Sequence, residues 1–156
     1  MHLSKGYTIA EATKKIEQYC AYQERCHKEV MEKLISFGMI PQVRDHILAY
    51  LIQENYLNEE RFAKSFARGK FSTKSWGKNR IVNELKYRNI SKFNIQSALN
   101  EISERDYLAA LDALAKKRLY QIKETHPQKI KRKLADYLLY RGWESDLVYE
   151  KIKELI

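Results

Sequence analysis

Apolar residues recur three or four positions apart along most of the chain, a spacing that predicts amphipathic helices. The first such pattern, Ala12, Ile16 and Tyr19, follows a T-x-x-E capping box at Thr8 and predicts a helix over residues 9–22. Eight further segments show the same spacing, so we predict an all-α chain of nine helices, with a long seventh helix that reaches towards Lys123. The predicted starts of the next seven are near Cys26, Pro41, Asn58, the end of the loop T-K-S-W-G, Ser91, the box Ser103–Asp106 and Pro127, and the last helix carries Leu147, Ile152 and Leu155.

The helical pattern repeats when the chain is shifted by 51 and then by 104 residues. The shift aligns apolar positions such as Val30, Ile81 and Leu134. It also aligns the turn residues Gly38, Asn89 and Gly142, and asparagine is one of the few residues that tolerate a positive φ. A unit of this length is too small to bury its apolar stripes alone, so neighbouring units are expected to stack. We predict three tandem three-helix repeats, at residues 1–56, 57–103 and 104–156, in an elongated, curved array, with a compact helical bundle as the alternative.

Composition favours a folded chain without a membrane span. Hydrophobic residues make up 44% of the 156 residues, and only five glycines and two prolines are present. The first residues lack the apolar core of a secretory signal, and no run approaches the roughly 20 apolar residues that cross a bilayer. We therefore expect a cytoplasmic protein. Cys20 and Cys26 are expected to be reduced thiols, because C-x5-C-H lacks the spacing of a zinc site.

The positive charge of the chain is concentrated between Arg61 and Lys92, which contain ten basic residues and one acid, Glu84. The remaining 19 basic residues are matched by 19 acids, so this stretch accounts for the whole net charge of +9. A local excess of this kind beside helix-spaced apolar residues predicts contact with a polyanion such as nucleic acid. A solvated helix face is the alternative interpretation.

The repeats indicate which residues of the stretch face outward. Arg80, Asn83 and Tyr87 share one ridge of the fifth predicted helix, and the equivalent ridge of the first repeat is Glu29, Glu32 and Ser36. Packing therefore does not require the basic residues. The predicted nucleic-acid or filament contacts are Arg61, Lys64, Arg68, Lys70, Lys74, Lys78, Arg80 and Lys86.

Other residues of the stretch have competing roles. Arg88 projects towards the core side of its helix and is expected to hydrogen-bond a helix end. Trp76 and Tyr87 could stack on nucleic-acid bases, but packing is the better explanation of Trp76. Trp143 aligns with Met39 and Ile90 and is therefore predicted to be core.

A second basic cluster lies near the C-terminus, with eight cations and one acid, Glu124. It consists of Lys116, Lys117, Arg118, Lys123, Lys129, Lys131, Arg132 and Lys133. The rest of the chain is acidic, which suits contact with nucleic acid on one side and with a protein on the other.

No catalytic pattern is present in the sequence. The four histidines, His2, His27, His46 and His126, are scattered, and there is no Gly-rich phosphate loop or H-E-x-x-H motif. We therefore predict no enzyme activity, catalytic residue, cofactor or metal.

Two segments resemble the RecX family of regulatory proteins. One is Y-L-N-E-E-R-F-A-K-S-F-A-R-G-K…W-G-K-N-R-I-V-N-E-L-K-Y-R-N-I, residues 56–90, and the other is K-I-K-R-K-L-A-D-Y-L-L-Y-R-G-W, residues 129–143. The departures are Asn89, where the family usually has glycine, and Trp143, where phenylalanine is commoner. The resemblance implies a bacterial cytoplasmic protein, built from three three-helix repeats and without a cofactor. It also implies binding to filaments of the recombinase RecA on single-stranded DNA, which limits recombination, DNA repair and the SOS response.

Two other functions are compatible with the sequence. A regulator that binds double-stranded DNA would use the fifth and sixth helices as a helix-turn-helix, with Arg80 and Asn83 reading bases. Such proteins usually dimerise, whereas no dimerisation element is evident and we expect a monomer with weak sequence preference on duplex DNA. The second possibility is a protein scaffold whose charge is incidental.

Overall fold

The structure, a computed structural model, describes residues 6–156 and consists of helices joined by short loops. The described part contains nine helices and no strand, which confirms the predicted all-α class. The helices are α1 (Ile9–Tyr22), α2 (His27–Ser36), α3 (Pro41–Gln53), α4 (Glu59–Lys74), α5 (Lys78–Tyr87), α6 (Lys92–Leu99), α7 (Glu104–Gln121), α8 (Pro127–Tyr140) and α9 (Ser145–Leu155). Residues 1–5 lie outside the described part of the chain. They include His2 and most of the segment that was interpreted as lacking a secretory signal.

Capping residues account for several helix starts. Thr8 Oγ1 accepts from the backbone N–H of Glu11 at 3.1 Å, and the Glu11 carboxylate accepts from Thr8 N–H at 2.9 Å, which confirms the predicted box. At α7 only half of the predicted box forms, because Ser103 accepts from Asp106 N–H at 3.1 Å while the Asp106 side chain is not among the acceptors of the described residues. Asp106 still lies in the first turn, where a negative charge is favourable.

The end of α4 differs from its predicted position. We expected a loop from Thr73 to Gly77, but α4 continues to Lys74 and only Ser75–Gly77 are non-helical. Thr73 Oγ1 donates to the carbonyl of Gly69 at 2.6 Å, within the helix, and Ser75 ends it with a φ of +56°. Lys74 is therefore held on the last turn of a helix. The long α7 ends at Gln121, two residues before Lys123.

The three predicted turns have the same backbone structure. Gly38, Asn89 and Gly142 have φ values of +79°, +60° and +95°. In each turn the N–H of the next residue donates to a carbonyl five residues before it. These bonds are Met39 to Leu34 at 3.1 Å, Ile90 to Leu85 at 3.1 Å and Trp143 to Leu138 at 3.2 Å. The shared helix ending confirms the internal repeat, with Asn89 in place of glycine at the left-handed position.

Each group of three helices forms one unit. The closely packed helix pairs of the described residues all lie within α1–α3, α4–α6 or α7–α9, which we call repeats 1, 2 and 3. The chain has an accessible surface of 10296 Å², whereas a compact monomer of this mass has roughly 8,200 Å². This excess fits an elongated array and not a compact bundle.

The buried residues form two hydrophobic cores, one within repeat 1 and one common to repeats 2 and 3. Repeat 1 has a core of its own that includes Ile16, Leu34 and Leu51. Repeats 2 and 3 contribute to a second core that includes Ile81, Leu85, Leu134, Leu138 and Trp143. Trp143 is 1% exposed, as predicted. Repeats 2 and 3 therefore behave as one packed body, with repeat 1 attached to it.

The two cysteines belong to different cores. Cys20 lies in the core of repeat 1, whereas Cys26, which precedes α2, lies in the core of repeats 2 and 3. Both are free thiols. Burial raises the pKa of Cys20 to about 11 and that of Cys26 to about 12. Each thiol is therefore protonated and unreactive near neutral pH.

Candidate nucleic-acid interface

Arg61, the first predicted contact, makes a network within the chain. Its Nε donates to the carboxylate of Glu24, and its two Nη atoms donate to the side chain and the carbonyl of Asn55 at 3.0 and 3.1 Å. Because Glu24 and Asn55 belong to repeat 1 and its exit, Arg61 joins α4 to the preceding repeat. Its role as a nucleic-acid contact stays a prediction.

We expect Arg61→Gln to lower the free energy of unfolding by about 1–2 kcal/mol, since Glu24 is left half-buried without its charged partner. Guanidinium unfolding followed by circular dichroism measures this change. Lys64→Gln is the control, because its i,i+4 pair with Glu60 is worth less than about 0.5 kcal/mol. If Arg61→Gln leaves stability unchanged and weakens single-strand binding, Arg61 contacts the nucleic acid and does not pair with Glu24.

Lys64 and Arg68 are also close to acidic groups. Lys64 Nζ lies 3.0 Å from the Glu60 carboxylate, whose hydrogen bond raises the pKa of Lys64. Arg68 lies 4.0 Å from the carboxylate of Glu101 and is largely exposed. The ridge of α4 is therefore partly neutralised by neighbouring acids.

The other five predicted contacts have no carboxylate oxygen within 4 Å among residues 6–156. They are Lys70, Lys74, Lys78, Arg80 and Lys86. Unpaired cations keep their full charge for an external anion. The charge available for binding thus lies at the end of α4 and on α5.

Two of these cations meet at Trp76. The Lys70 ammonium is 5.2 Å from the centroid of the Trp76 ring, and the Arg80 guanidinium is 4.3 Å from it. Trp76 is half-buried and packs edge-on against Phe66, as its interpretation as an anchor predicted. The ring therefore fixes the positions of both cations.

Arg80 also contacts repeat 3 through Tyr140 at the end of α8. Its guanidinium lies 5.1 Å from the Tyr140 ring centroid and donates weakly to the Tyr140 carbonyl at 3.5 Å. Tyr140 is 77% exposed. We call the four residues Lys70, Trp76, Arg80 and Tyr140 the junction strip, because they cross from repeat 2 to repeat 3.

The remaining unpaired cations lie away from this strip. Lys86 is six residues after Arg80, which places it about 120° round the helix. The Lys78 ammonium lies 4.6 Å from the ring of Tyr107, in repeat 3. The cations of α4 and α5 therefore do not form two continuous ridges: Lys70 and Arg80 share the Trp76 ring, whereas Lys78 contacts Tyr107.

The outward ridge of α5 is only partly free. Lys28 of repeat 1 lies 3.9 Å from the Tyr87 ring and donates to the Tyr87 carbonyl at 3.0 Å. Arg88 Nη1 donates to the carbonyl of Glu84 at 2.9 Å, which confirms that it bonds to a helix backbone. Tyr87 therefore helps to join repeats 1 and 2, and Arg80 is the ridge residue that faces repeat 3.

Backbone contacts fix the junction between repeats 2 and 3. Gly77 N–H donates to the carbonyl of Arg141 at 2.8 Å, and Asn79 N–H donates to the carbonyl of Gly142 at 3.0 Å. A Cβ atom on Gly77 would lie 2.5 Å from the Gly142 carbonyl oxygen. Only glycine permits this approach, so the two glycines set how closely the repeats pack.

Side chains reinforce the same junction. Trp143 Nε1 donates to the carbonyl of Ser75 at 3.1 Å, and Arg141 Nη1 donates to the carbonyl of Lys74 at 2.7 Å. These bonds satisfy carbonyls at the end of α4 that have no partner within the helix. The junction therefore orients Lys74 and the start of α5 relative to α8.

Tyr140 and Arg141 were missed as site residues by the reasoning from sequence. The internal repeat contained a signal, because Tyr140 and Arg141 are the equivalents of Tyr87 and Arg88 in the next copy. Their proximity to α4 and α5 depends on contacts between residues that are 60 and 67 positions apart. A periodic pattern alone cannot predict such contacts.

Comparison with known proteins places this arrangement in a family. Residues 58–99 match the family model described as RecX, second three-helix domain, and residues 104–152 match RecX, third three-helix domain. The two models follow each other in order and together cover more than half of the chain. The chain belongs to the RecX family.

Relatives named regulatory protein RecX occur in several bacteria. The RecX protein of Yersinia enterocolitica is 36% identical over 103 residues, which are 66% of this chain and 60% of that protein. The protein of Clostridioides difficile is 24% identical over 146 residues, which are 94% of this chain and 68% of that protein. The chain thus spans about 60 to 68% of the length of these two relatives.

Two RecX crystal structures share the fold. RecX from Lactobacillus salivarius has a TM-score of 0.81 at 24% identity, covering 94% of this chain and 96% of that one. A second RecX structure has a TM-score of 0.83 at 23% identity, covering 94% of this chain and 73% of that one. Within residues 6–156 of this chain, no helix combines the length and the apolar character needed to span a membrane.

Proposed function

We propose that this chain is a non-enzymatic, cytoplasmic regulator that binds RecA filaments on single-stranded DNA and limits their activity in recombination and DNA repair. The observation that supports it most strongly is the junction strip, in which unpaired cations and exposed aromatic surface lie together in a RecX fold. The chain acts as a monomer, and the bound filament supplies both the protein and the nucleic-acid contacts.

The chemistry of the junction strip suits a single strand. Lys70 and Arg80 have no internal counter-charge, so they neutralise phosphates and release counterions. The exposed ring of Tyr140 offers a face on which a base can stack. Binding through charge and stacking requires little sequence selectivity, as expected for a protein that acts along a filament.

The elongated shape suits a periodic partner. Repeats 1 to 3 follow one another along the chain, so successive units can contact successive subunits of a filament. The exposed acidic residue Glu32 of repeat 1 lies outside the basic stretch. Repeat 1 is therefore our candidate for contact with basic protein surface, while repeats 2 and 3 contact the strand.

The alternative of a helix-turn-helix regulator is disfavoured by the packing of α5. In this alternative Arg80, in the first turn of α5, and Asn83 would read bases in a groove of the duplex. A Cβ on Gly142 would lie 2.4 Å from the backbone nitrogen of Arg80, so repeat 3 packs against the backbone of the first turn of α5. Repeat 3 would have to move before this helix could enter a major groove.

The decisive experiment adds purified protein to preformed RecA filaments on single-stranded DNA. We expect ATP hydrolysis and strand exchange to fall as the protein approaches a stoichiometric ratio to RecA. The control adds the protein to RecA without DNA, which separates action on the filament from action on the free recombinase. If neither activity changes at stoichiometric protein, the proposed function is wrong.

A further inference from the structure

A second group of cations lies where the end of α4 meets α7 and α8. They line a cavity of about 300 Å³, and no aspartate or glutamate is among the lining residues. Its basic residues are Lys74, Lys117, Arg118 and Arg141. None of the four has a carboxylate oxygen within 4 Å in the described part of the chain. The cavity, which we call the junction pocket, therefore concentrates positive charge without an internal counter-charge.

The ring of Tyr137 holds two guanidinium groups in this pocket. Cζ of Arg118 and Cζ of Arg141 each lie 4.6 Å from its centroid. Arg141 is fixed further by its hydrogen bond to the Lys74 carbonyl at 2.7 Å. Side chains that are already held in place lose less conformational freedom when a ligand binds.

Arg118 has donor capacity that the protein does not use. Its Nε is buried and has no hydrogen-bond acceptor among the described residues, whereas buried N–H groups nearly always have one. The planar guanidinium presents its donors in a fork that matches the oxygens of a phosphate. Because Arg118 lines the junction pocket, its guanidinium can offer donors to an oxyanion there.

We propose that the junction pocket binds a phosphate group of a nucleic-acid strand. Lys74 belongs both to the pocket and to the predicted interface, and Arg141 directly follows Tyr140 of the junction strip. A strand that crosses Arg80 therefore reaches the pocket by continuing along the same junction. The choice of nucleic acid as the source of the phosphate rests on the function proposed above, whereas the affinity of the pocket for phosphate does not.

Nitrogen-15 NMR of the full chain tests the pocket directly through the Nε–H resonance of Arg118, assigned by its loss in Arg118→Lys. Oligothymidylate of about eight nucleotides, which is within the usual site size for single strands, is titrated in one arm. Inorganic phosphate is titrated in the other. We expect both probes to shift the Arg118 resonance, and the oligonucleotide to do so at lower concentration.

Two neighbouring lysines supply matched variants. Lys117→Gln removes a pocket cation, whereas Lys116→Gln removes a cation that is paired with Asp112 at 2.9 Å and does not line the pocket. Asp112 retains Lys151 at 3.0 Å in the control. We expect Lys117→Gln to weaken oligonucleotide binding about 5- to 10-fold at low salt and to reduce the salt slope by about 0.7, the value for one phosphate on a single strand. Lys116→Gln should change the affinity less than about twofold.

Three results would overturn the proposal. They are an Arg118 resonance that does not move with either probe, equal effects of the two lysine variants, and a shift with inorganic phosphate but not with the oligonucleotide. The last of these would assign the pocket to a small anion. Because RecA is absent from the assay, a failure here leaves the filament experiment unaffected, and a failure of that experiment leaves this result standing.

Discussion

Replacing Gly142 with alanine is expected to destabilise repeats 2 and 3 by about 2–5 kcal/mol. The residue has a φ of +95°, which costs an alanine about 1–2 kcal/mol. Its new Cβ would also lie 2.3 Å from Cβ and 2.4 Å from the backbone nitrogen of Arg80. Overpacking against backbone costs about 1–3 kcal/mol more. Guanidinium unfolding followed by tryptophan fluorescence measures the loss, because Trp76 and Trp143 both lie in repeats 2 and 3.

Gly38→Ala is the matched control in repeat 1. Its φ of +79° gives a similar backbone penalty, but nothing lies within 4 Å of a Cβ placed there. We expect a loss of only about 1–2 kcal/mol, measured by circular dichroism. If Gly142→Ala and Gly38→Ala lower the free energy of unfolding equally, repeats 2 and 3 are not in close backbone contact at Gly142.

Gly77→Ala isolates the steric part of the same effect. Gly77 precedes α5 with a φ of −81°, which alanine adopts without strain, yet its Cβ would lie 2.5 Å from the Gly142 carbonyl oxygen. A loss of about 1–3 kcal/mol in this variant would assign most of the Gly142 effect to close packing. The two substitutions act on one contact, so their double mutant should lose less than the sum.

The helices were predictable from sequence because their signals are local. Thr8 with Glu11 determines the start of α1, and the turns at Gly38, Asn89 and Gly142 follow from the residue types that tolerate a positive φ. The end of α4 was placed wrongly, because Ser75 ends the helix with a φ of +56° and serine carries no strong signal for that conformation. Local chemistry thus determines most helix ends, and the exceptions occur where tertiary contacts hold the chain.

The candidate site was predictable only in part. Whether a cation is available to bind an external anion depends on its partners within the fold, and these partners are distant in sequence. Arg61 meets Glu24, which is 37 residues before it, and Arg141 meets the carbonyl of Lys74, which is 67 residues before it. Composition locates the basic stretch but does not tell which of its cations are paired. The three-dimensional structure is needed to separate Arg61 from Arg80.

Whether a cation is paired within the chain also determines how strongly its reversal to an acid affects DNA binding. Replacing Lys70, Lys74 and Arg80 with glutamate is expected to weaken binding to single-stranded DNA at least about 100-fold at low salt. All three are unpaired, so each variant residue removes a phosphate contact and adds a repulsive charge. Three lost contacts reduce the log-log salt slope by about 2, at about 0.7 per phosphate. Fluorescence anisotropy of a labelled oligonucleotide, measured over a range of salt concentrations, gives both quantities.

The control is Lys14, Arg105 and Lys153, three exposed residues outside both basic clusters. Their replacement with glutamate lowers the net charge by the same amount as the test variant, from +9 to +3, since each reversal removes two charges. Because long-range attraction depends on net charge whereas phosphate contacts depend on position, the control should lose less than about 10-fold in affinity. Equal losses in the two variants would mean that overall charge drives binding, and no loss in either would mean that the basic face serves a protein scaffold. Only a selective loss in the first variant agrees with a strand bound along the junction strip and at Lys74 of the junction pocket.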